Sequence, residues 1–460
     1  MDFVHFGKPT IVLSSPKAAV DLLDKRGNIY SSRPRNVFAG EICYRQSRGV
    51  LLPMGTKLRR FRTLMSASMS VVPSKKFRLL EEAETKLMLR GVLLESNYAN
   101  YRGYIQRSIH SVAFCTAYGQ RIDELGPDIL GLFVSIERLN SIVSVFVRFS
   151  LPGTRLVDHF PNLLRLPRAL QWFRREAEEQ GAKEERFFRT AFSQSKLAHA
   201  NGEALLQGSS IRILEKPERF GFTDNEVALI SAAPYRAGVT TTLATYDVLM
   251  LAILSHPHVM KRAQHEIDTI VGSERMPDFR DFESLVYIRA MIKEALRWHP
   301  FAPLAIPHAT TEDDVYEGMF IPAGSTVIAN VYAMTRNTEL FPDPEEYRPE
   351  RILEATNPLI KNYNMTFGFG RRICPGQHVA TDQLFIIISR ILWAFNIMPA
   401  KGDSDLPKVE AQRQHGRFGP VKPMLYELVP RSDHVRSVIM EQASAAEDDV
   451  KTWHTFKFNN

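Results

Sequence analysis

The stretch Phe367–Gly376, FGFGRRICPG, decides how the rest of this chain is read. Cys374 stands just before an apolar-periodic run that opens near Gln377. The free N–H groups and positive end of the helix expected there face its sulfur and favour a thiolate. Gly370 and Gly376 allow tight backbone turns and the close approach of a flat ligand. Arg372 can pair with an anionic group on such a ligand, and Phe367 can pack beside the sulfur and keep water away. By residue type alone, a cysteine in a glycine-rich loop is more often a buried structural thiol. The spacing F-x-x-G-x-R-x-C-x-G, with every fixed position filled, outweighs that reading.

Two further segments carry chemistry. A helix opens at Thr223, where Thr223 and Glu226 form a capping box. Its apolar spacing runs to Ser255, roughly 50 Å at about 1.5 Å per residue, and Pro234 should kink it. Its middle reads Ala237-Gly238-Val239-Thr240-Thr241-Thr242. Three stiff, branched threonines in a row do not serve helix propensity; the plain alternative is hydroxyls bonding back to their own helix. A second helix, Phe282–Trp298, places Leu285, Ile288, Ile292 and Leu296 on one face. It contains Glu294-Ala295-Leu296-Arg297, an acid and a base able to pair at i, i+3. Such pairs are mostly surface bridges.

The remaining features set limits. At 460 residues the chain exceeds an ordinary domain, yet no linker, low-complexity tract or repeat divides it. Hydrophobic residues at 44% supply a large core, and 24% charged residues suit a globular surface. The net charge of +7 is not arranged as a basic stripe with interleaved aromatics, so nucleic acid is not expected. A weak attraction to an anionic membrane face and a plain solvated surface fit that charge equally. Three cysteines exclude a disulfide framework and point to a reducing compartment, with Cys43 and Cys115 structural. The absence of an apolar run of about 18 residues predicts no transmembrane helix and no secretory signal. VHFGKPTIVL reads as strand, turn and strand, so Met1 already lies inside folded structure. Helices are expected over Pro16–Arg26, Arg62–Met69, Lys75–Leu94, Tyr101–Ala117 and Gln377–Phe395, and strands over Val315–Tyr316, Met319–Ile321 and Thr326–Asn330. Residues 128–200, broken at Pro152, Pro161 and Pro167, are basic and amphipathic. They suit a pocket cover or a membrane contact, with solvated helices as the default. One large, mainly α body with a small β-rich lobe fits all of this.

The decamer, Glu294–Arg297, Ala237–Thr242 and the RPER of 348–351 together resemble the cytochrome P450 family, from about Met1 to Arg431. The resemblance implies the P450 fold, with a long central helix over a buried haem b, and one catalytic domain over 1–460 without its N-terminal membrane anchor. It implies that Cys374 is the axial thiolate and sole protein ligand to iron, pushing electron density that favours O–O cleavage. Phe367, Gly370, Arg372 and Gly376 then frame the haem, and Glu294, Arg297 and Arg351 brace the loop. Ala237, Gly238, Thr240 and Thr241 become the oxygen groove: Gly238 gives room, and the Thr241 hydroxyl holds dioxygen and its water. Thr240 departs from the family, where an acid linked to proton delivery is usual; Asp247, two turns on, is too far to replace it. Arg62, in a W-x-x-x-R match with Leu58 for the tryptophan, and His308 become propionate partners. Ala302–Ile306 and Ala233 should line the pocket, residues 37–52 cap it, and Arg236 snorkel outward. The implied activity is monooxygenation of a lipophilic small molecule by O2, with NADPH–cytochrome P450 reductase as electron donor and cytochrome b5 as an accessory one. The segments HATTEDDVYEGMFIPAGS and FPDPEEYRPERI look most like fungal members acting on polyketides, terpenoids or alkaloids. The implied location is the cytosolic face of the endoplasmic reticulum, or the cytoplasm if the anchor is absent. The alternatives are a haem-thiolate isomerase, dehydratase or peroxygenase, and an impaired haem-binding relative.

Overall fold

Extended residues at both ends of a short hairpin start the β-rich lobe. In the computed structural model, which describes residues 2–5, 8–126, 156–203, 206–400, 421, 424–453, 455 and 456, β1 (Asp2–His5) pairs antiparallel with β2 (Lys8–Leu13). The chain then crosses the molecule. β3 (His308–Ala309) and β6 (Thr326–Ala329) complete the sheet in the order β1-β2-β6-β3, with β2 and β6 parallel from Thr10↔Thr326 to Leu13↔Ala329. Between them β4 (Asp314–Tyr316) and β5 (Met319–Ile321) form a hairpin through Glu317 and Gly318, both at positive φ. The strands predicted at 315–316, 319–321 and 326–330 are recovered to within a residue, while the second strand of the opening hairpin starts two residues earlier than expected, at Lys8.

The body is helical, as the apolar spacing requires. Helices span Thr56–Met69, Arg78–Leu94 and Tyr101–Tyr118, the last closed by Gly119 in the left-handed conformation. The helix near the start is shorter than expected: Pro16–Ala19, capped by Ser15, loosens into a wider turn over Val20–Lys25. The predicted start at Phe282 also moves. The helix runs Val286–Trp298 because the Glu266 carboxylate accepts the N–H groups of Tyr287 and Ile288 at 2.8 and 3.2 Å, fixing its first turn there.

Two expectations change more. Thr223 and Glu226 do make their capping box, but the helix is broken rather than kinked, into Asp224–Ile230 and Ala233–Ser255. Pro234 falls in the first turn of the second segment, where its missing N–H costs nothing. Residues 127–155, with Pro152, lie outside the described part of the 128–200 segment. Within the rest, Arg174–Ala200 is not merely solvated: Ala177, Glu184, Phe187, Ala191, Ser195 and Ala198 bury one face at helical spacing. Gln377–Ala394 fills the centre, followed by β7 (Phe395–Pro399), paired with β8 (Tyr426–Pro430). A last helix, Asp433–Lys451, was not expected. Asp224–Ser255 is long and apolar enough to cross a membrane, but 83% of its apolar window is buried inside the fold.

Candidate active site

The helix Ala233–Ser255 identifies the cavity by what it leaves uncovered. Of its 23 residues only Ala233, Ala237, Gly238, Thr241 and Ser255 keep appreciable accessible surface. Ala233, Ala237 and Thr241 step by four, so they form one stripe along an otherwise buried helix. Small residues that stay accessible in the interior mark the wall of a void. Thr241 donates its hydroxyl to the Ala237 carbonyl at 2.8 Å, and Thr245 donates to the Thr241 carbonyl at 3.0 Å. Thr240 is buried off the stripe. A Cβ on Gly238 would meet the Ala113 methyl at 3.6 Å, an ordinary contact with the helix Tyr101–Tyr118. Asp247 is held by Arg102 at 3.0 Å, consistent with its being unable to stand in for an acid at position 240.

The loop of Cys374 is closed on itself by the Cys374 N–H, which donates to the Phe367 carbonyl at 2.7 Å. The sulfur accepts from the N–H groups of Gly376 and Gln377. Cys374 keeps accessible surface although protein surrounds it, as expected of a side chain facing an internal void. Burial pushes its thiol up, against the pull of those two N–H groups and the Arg62 charge. The N–H groups at the helix start do favour the thiolate, as the sequence suggests, but desolvation outweighs them in the net direction. Gly370 has φ 51°, and a Cβ there would lie 2.3 Å from the Leu23 carbonyl oxygen. Its small size thus admits the chain's own backbone rather than a flat ligand. Gly370→Ala should lower stability by about 2 kcal/mol or more, read as a fall in the thermal midpoint. A midpoint within the error of the parent would contradict the crowding.

Around this loop four basic side chains gather without an acid. Arg62 donates to the Ile373 carbonyl at 2.7 Å; Arg372 donates to the carbonyls of Ser31 and Leu52 at 2.6 Å each. Arg33, which the sequence reading passed over, donates to Ile306 and Pro307 at 2.7 Å and to Val50 at 3.1 Å. His308 donates from Nδ1 to the Tyr30 carbonyl at 2.7 Å. Among the described residues, the side-chain hydrogen bonds of this group go to backbone carbonyls. No carboxylate among the described residues acts on any of them. Burial lowers Arg33, Arg62, Arg372 and His308, and neighbouring charges deepen the shift for three of them: Arg62 helps bring Arg372 down to about 10, Arg372 lowers Arg33, and Arg33 and Arg372 lower His308. Three guanidinium groups and an imidazole held this way call for an anion.

Further from the cavity, Glu294 accepts from Arg297 at 2.8 Å twice and from Arg351 at 3.0 Å, all three buried. The two arginines spend their other donors on the carbonyls of Thr335, Pro342, Asp343, Pro344 and Glu346. The cluster therefore braces residues 335–351 directly. It reaches the cysteine loop through Thr366, whose hydroxyl donates to the Leu296 carbonyl at 3.0 Å.

Arg236 corrects an expectation. Its guanidinium turns inward to Glu184 at 3.0 Å and lies 4.4 Å over the Phe188 ring, because a buried counter-charge removes the need to reach water. The cap over Val37–Cys43 packs so closely on the helix Arg174–Ala200 that a Cβ on Gly181 would sit 2.4 Å from the Cys43 carbonyl. Ala302–Ile306 all keep partial access, as wall residues would. Cys43 and Cys115 are buried free thiols that burial pushes up, Cys43 to about 12. Leu58, on the same helix as Arg62, is buried.

A thiol that keeps accessible surface and three buried guanidinium groups with no carboxylate partner among the described residues are what a site for an anionic group requires. The model of the family described as Cytochrome P450 matches residues 3–423, and the chain belongs to that family. A cytochrome P450 monooxygenase of Armillaria gallica is 34% identical over 96% of this chain and 86% of its own length. The monooxygenase drtD of Aspergillus calidoustus is 35% identical over 96% and 81%. Among solved structures, a zebrafish cytochrome P450 bound to progesterone superposes with a TM-score of 0.77 at 21% identity, covering 94% of this chain and 96% of that one. The chain is accordingly a monooxygenase at the level of its family, with the haem-thiolate binding, dioxygen use and dependence on a redox partner that the family implies.

Proposed function

We propose that Cys374 would hold the iron of a haem b, and that Arg62, Arg372 and His308 would pair with its propionates, with Arg33 adding positive charge beside them. The observation that carries this reading is three buried guanidinium groups and the buried His308 ring, with no carboxylate partner among the described residues, set around a thiol that keeps accessible surface. Among the described residues no three His, Cys, Asp or Glu side chains converge, so iron held here would bring its other ligands with it, as a porphyrin does. A propionate would also reverse the state of His308: its Nδ1–H is committed to Tyr30, so only a protonated ring can donate from Nε2. When bound, a thiolate-ligated haem activates dioxygen so that one oxygen atom enters the substrate and the other leaves as water, consuming two electrons and two protons.

The protein's own residues set the conditions. Gly370 and Gly376 shape the cysteine loop, and Phe367 keeps water from the sulfur. Ala237 and Gly238 leave room on the opposite side, and the Thr241 oxygen, which donates its proton to Ala237, still accepts one. With Thr240 where the family has an acid, protons travel through hydroxyls and water. The small apolar wall of Ala233, Ala237 and Ala302–Ile306 suits a lipophilic small molecule. We read residues 1–460 as one catalytic domain at the cytosolic face of the endoplasmic reticulum. Its electrons come from an NADPH-dependent flavoprotein reductase, with cytochrome b5 as an accessory donor. The fungal relatives favour a substrate from secondary metabolism. The test is turnover of a panel of lipophilic polyketides and terpenoids under heavy-isotope-labelled dioxygen. Label in the product, dependent on NADPH and reductase, is expected. Unlabelled product formed with no electron donor would instead select a haem-thiolate isomerase or dehydratase, which would tolerate Thr240 in place of the acid.

A further inference from the structure

The chain beyond β8 lies outside the span matched by the family model, yet it is built into the fold. Ser432 caps the helix Asp433–Lys451, accepting from the Val435 N–H at 3.1 Å. Val435, Val438 and Ile439 enter the main core; Ala446 and Val450 pack on Ala83, and Glu447 pairs with Arg90 at 2.6 Å. The segment then turns inward. Thr455 pairs with Arg121 as an isolated parallel bridge, and the Phe456 N–H donates to the Arg121 carbonyl at 2.9 Å. Arg121 is itself fixed, since its Nε donates to the buried carboxylate of Glu84 at 3.1 Å.

This anchoring drives the Phe456 ring between helices. Its centroid lies 4.6 Å from Phe114 on the helix Tyr101–Tyr118 and 5.4 Å, nearly edge-on, from Phe187 on the helix Arg174–Ala200. Both rings touch Tyr235, at 5.3 and 6.5 Å. Tyr235 stands in the first turn of the helix that walls the cavity, two residues before Ala237. The next residue of that turn, Arg236, is tied to Glu184 and Phe188 of the same helix Arg174–Ala200. Phe456 thus completes a ring cluster with Phe114 and Phe187, which also meet each other at 6.2 Å and both touch Tyr235 at the start of the helix that walls the cavity.

We infer that the C-terminal segment 433–456 is a strap, and that Phe456 is a positioning residue fixing the width of the cavity beside Ala233 and Ala237. The inference rests on reading that cavity as the haem and substrate site. Removing a wedging ring leaves a void into which neighbouring helices shift, and close-packed helices respond by displacement rather than continuous deformation. A shift of that kind matters to ligands large enough to touch the covering helix and not to small ones.

The experiment titrates the haem-loaded protein with imidazole and with clotrimazole, an imidazole bearing three aromatic rings, and reads the nitrogen-ligand shift of the haem spectrum. Phe456→Ala should change the clotrimazole dissociation constant by about tenfold, on the scale of small misplacements, and leave imidazole within about twofold. Phe456→Leu, which refills most of the space, should recover most of the difference. If Phe456→Ala fails to hold haem, the same comparison is made on Phe456→Leu, with a change of about threefold expected for clotrimazole alone. Equal changes for both ligands, or no change for either, would overturn the strap. A parent protein that bound no imidazole would overturn the reading of the cavity, and the strap with it.

Discussion

Glu294→Gln is expected to destabilise the protein by about 3–5 kcal/mol, the cost of removing one partner from a buried ion cluster. The glutamate is the only acid bonded to Arg297 and Arg351 in this cluster, and all three side chains are out of water. Glutamine keeps the shape and one acceptor but leaves two buried guanidinium charges unbalanced. It also weakens the bond accepted from the Arg348 N–H at 3.0 Å. Against a typical total stability of about 5–15 kcal/mol, the loss should appear as a large drop in the urea midpoint and in the yield of haem-loaded protein. Arg297→Lys should fall in between, since it retains charge but not the two-pronged geometry. A change below about 1 kcal/mol for Glu294→Gln would show that the cluster is not needed to hold residues 335–351.

Cys374→Ser is expected to reduce turnover to background while leaving the fold intact. The substitution alters one atom on a side chain that already faces a void, so it creates little cavity and breaks no packing. Arg62, Arg372, Arg33 and His308 are untouched, and they should retain part of the bound haem through its propionates. The two parts of the site are thereby separated: haem content measures the cations, and turnover measures the sulfur. Full turnover with full haem content would remove Cys374 from the chemistry.

Much of this site is legible in the sequence because its parts are contiguous. The cysteine loop, the Glu294–Arg297 pair and the Thr223 capping box each depend on residues within a few positions of one another, where spacing and local geometry are directly linked. What sequence could not supply depends on partners far along the chain. Arg236 turns inward only because Glu184, on another helix, offers a buried carboxylate. The net direction at Cys374 is set by desolvation, which no motif encodes. Arg33 joins the cation group through carbonyls at Val50, Ile306 and Pro307 that meet only in the fold. Its one local signal was a basic residue before a proline. The break before Pro234 was misread as a kink because a proline suits a first turn as well as it disrupts an interior one. The last helix follows a Ser-Asp start that fits a cap, a signal available in the sequence but overlooked past the reach of the family resemblance.

The most direct test of the account is the carbon monoxide spectrum of the reduced, haem-loaded protein, taken on the parent and on Cys374→Ser. Sulfur ligation from Cys374 predicts the long-wavelength band of a thiolate-bound haem in the parent and its complete loss in the variant. The same band at undiminished strength in Cys374→Ser would contradict it.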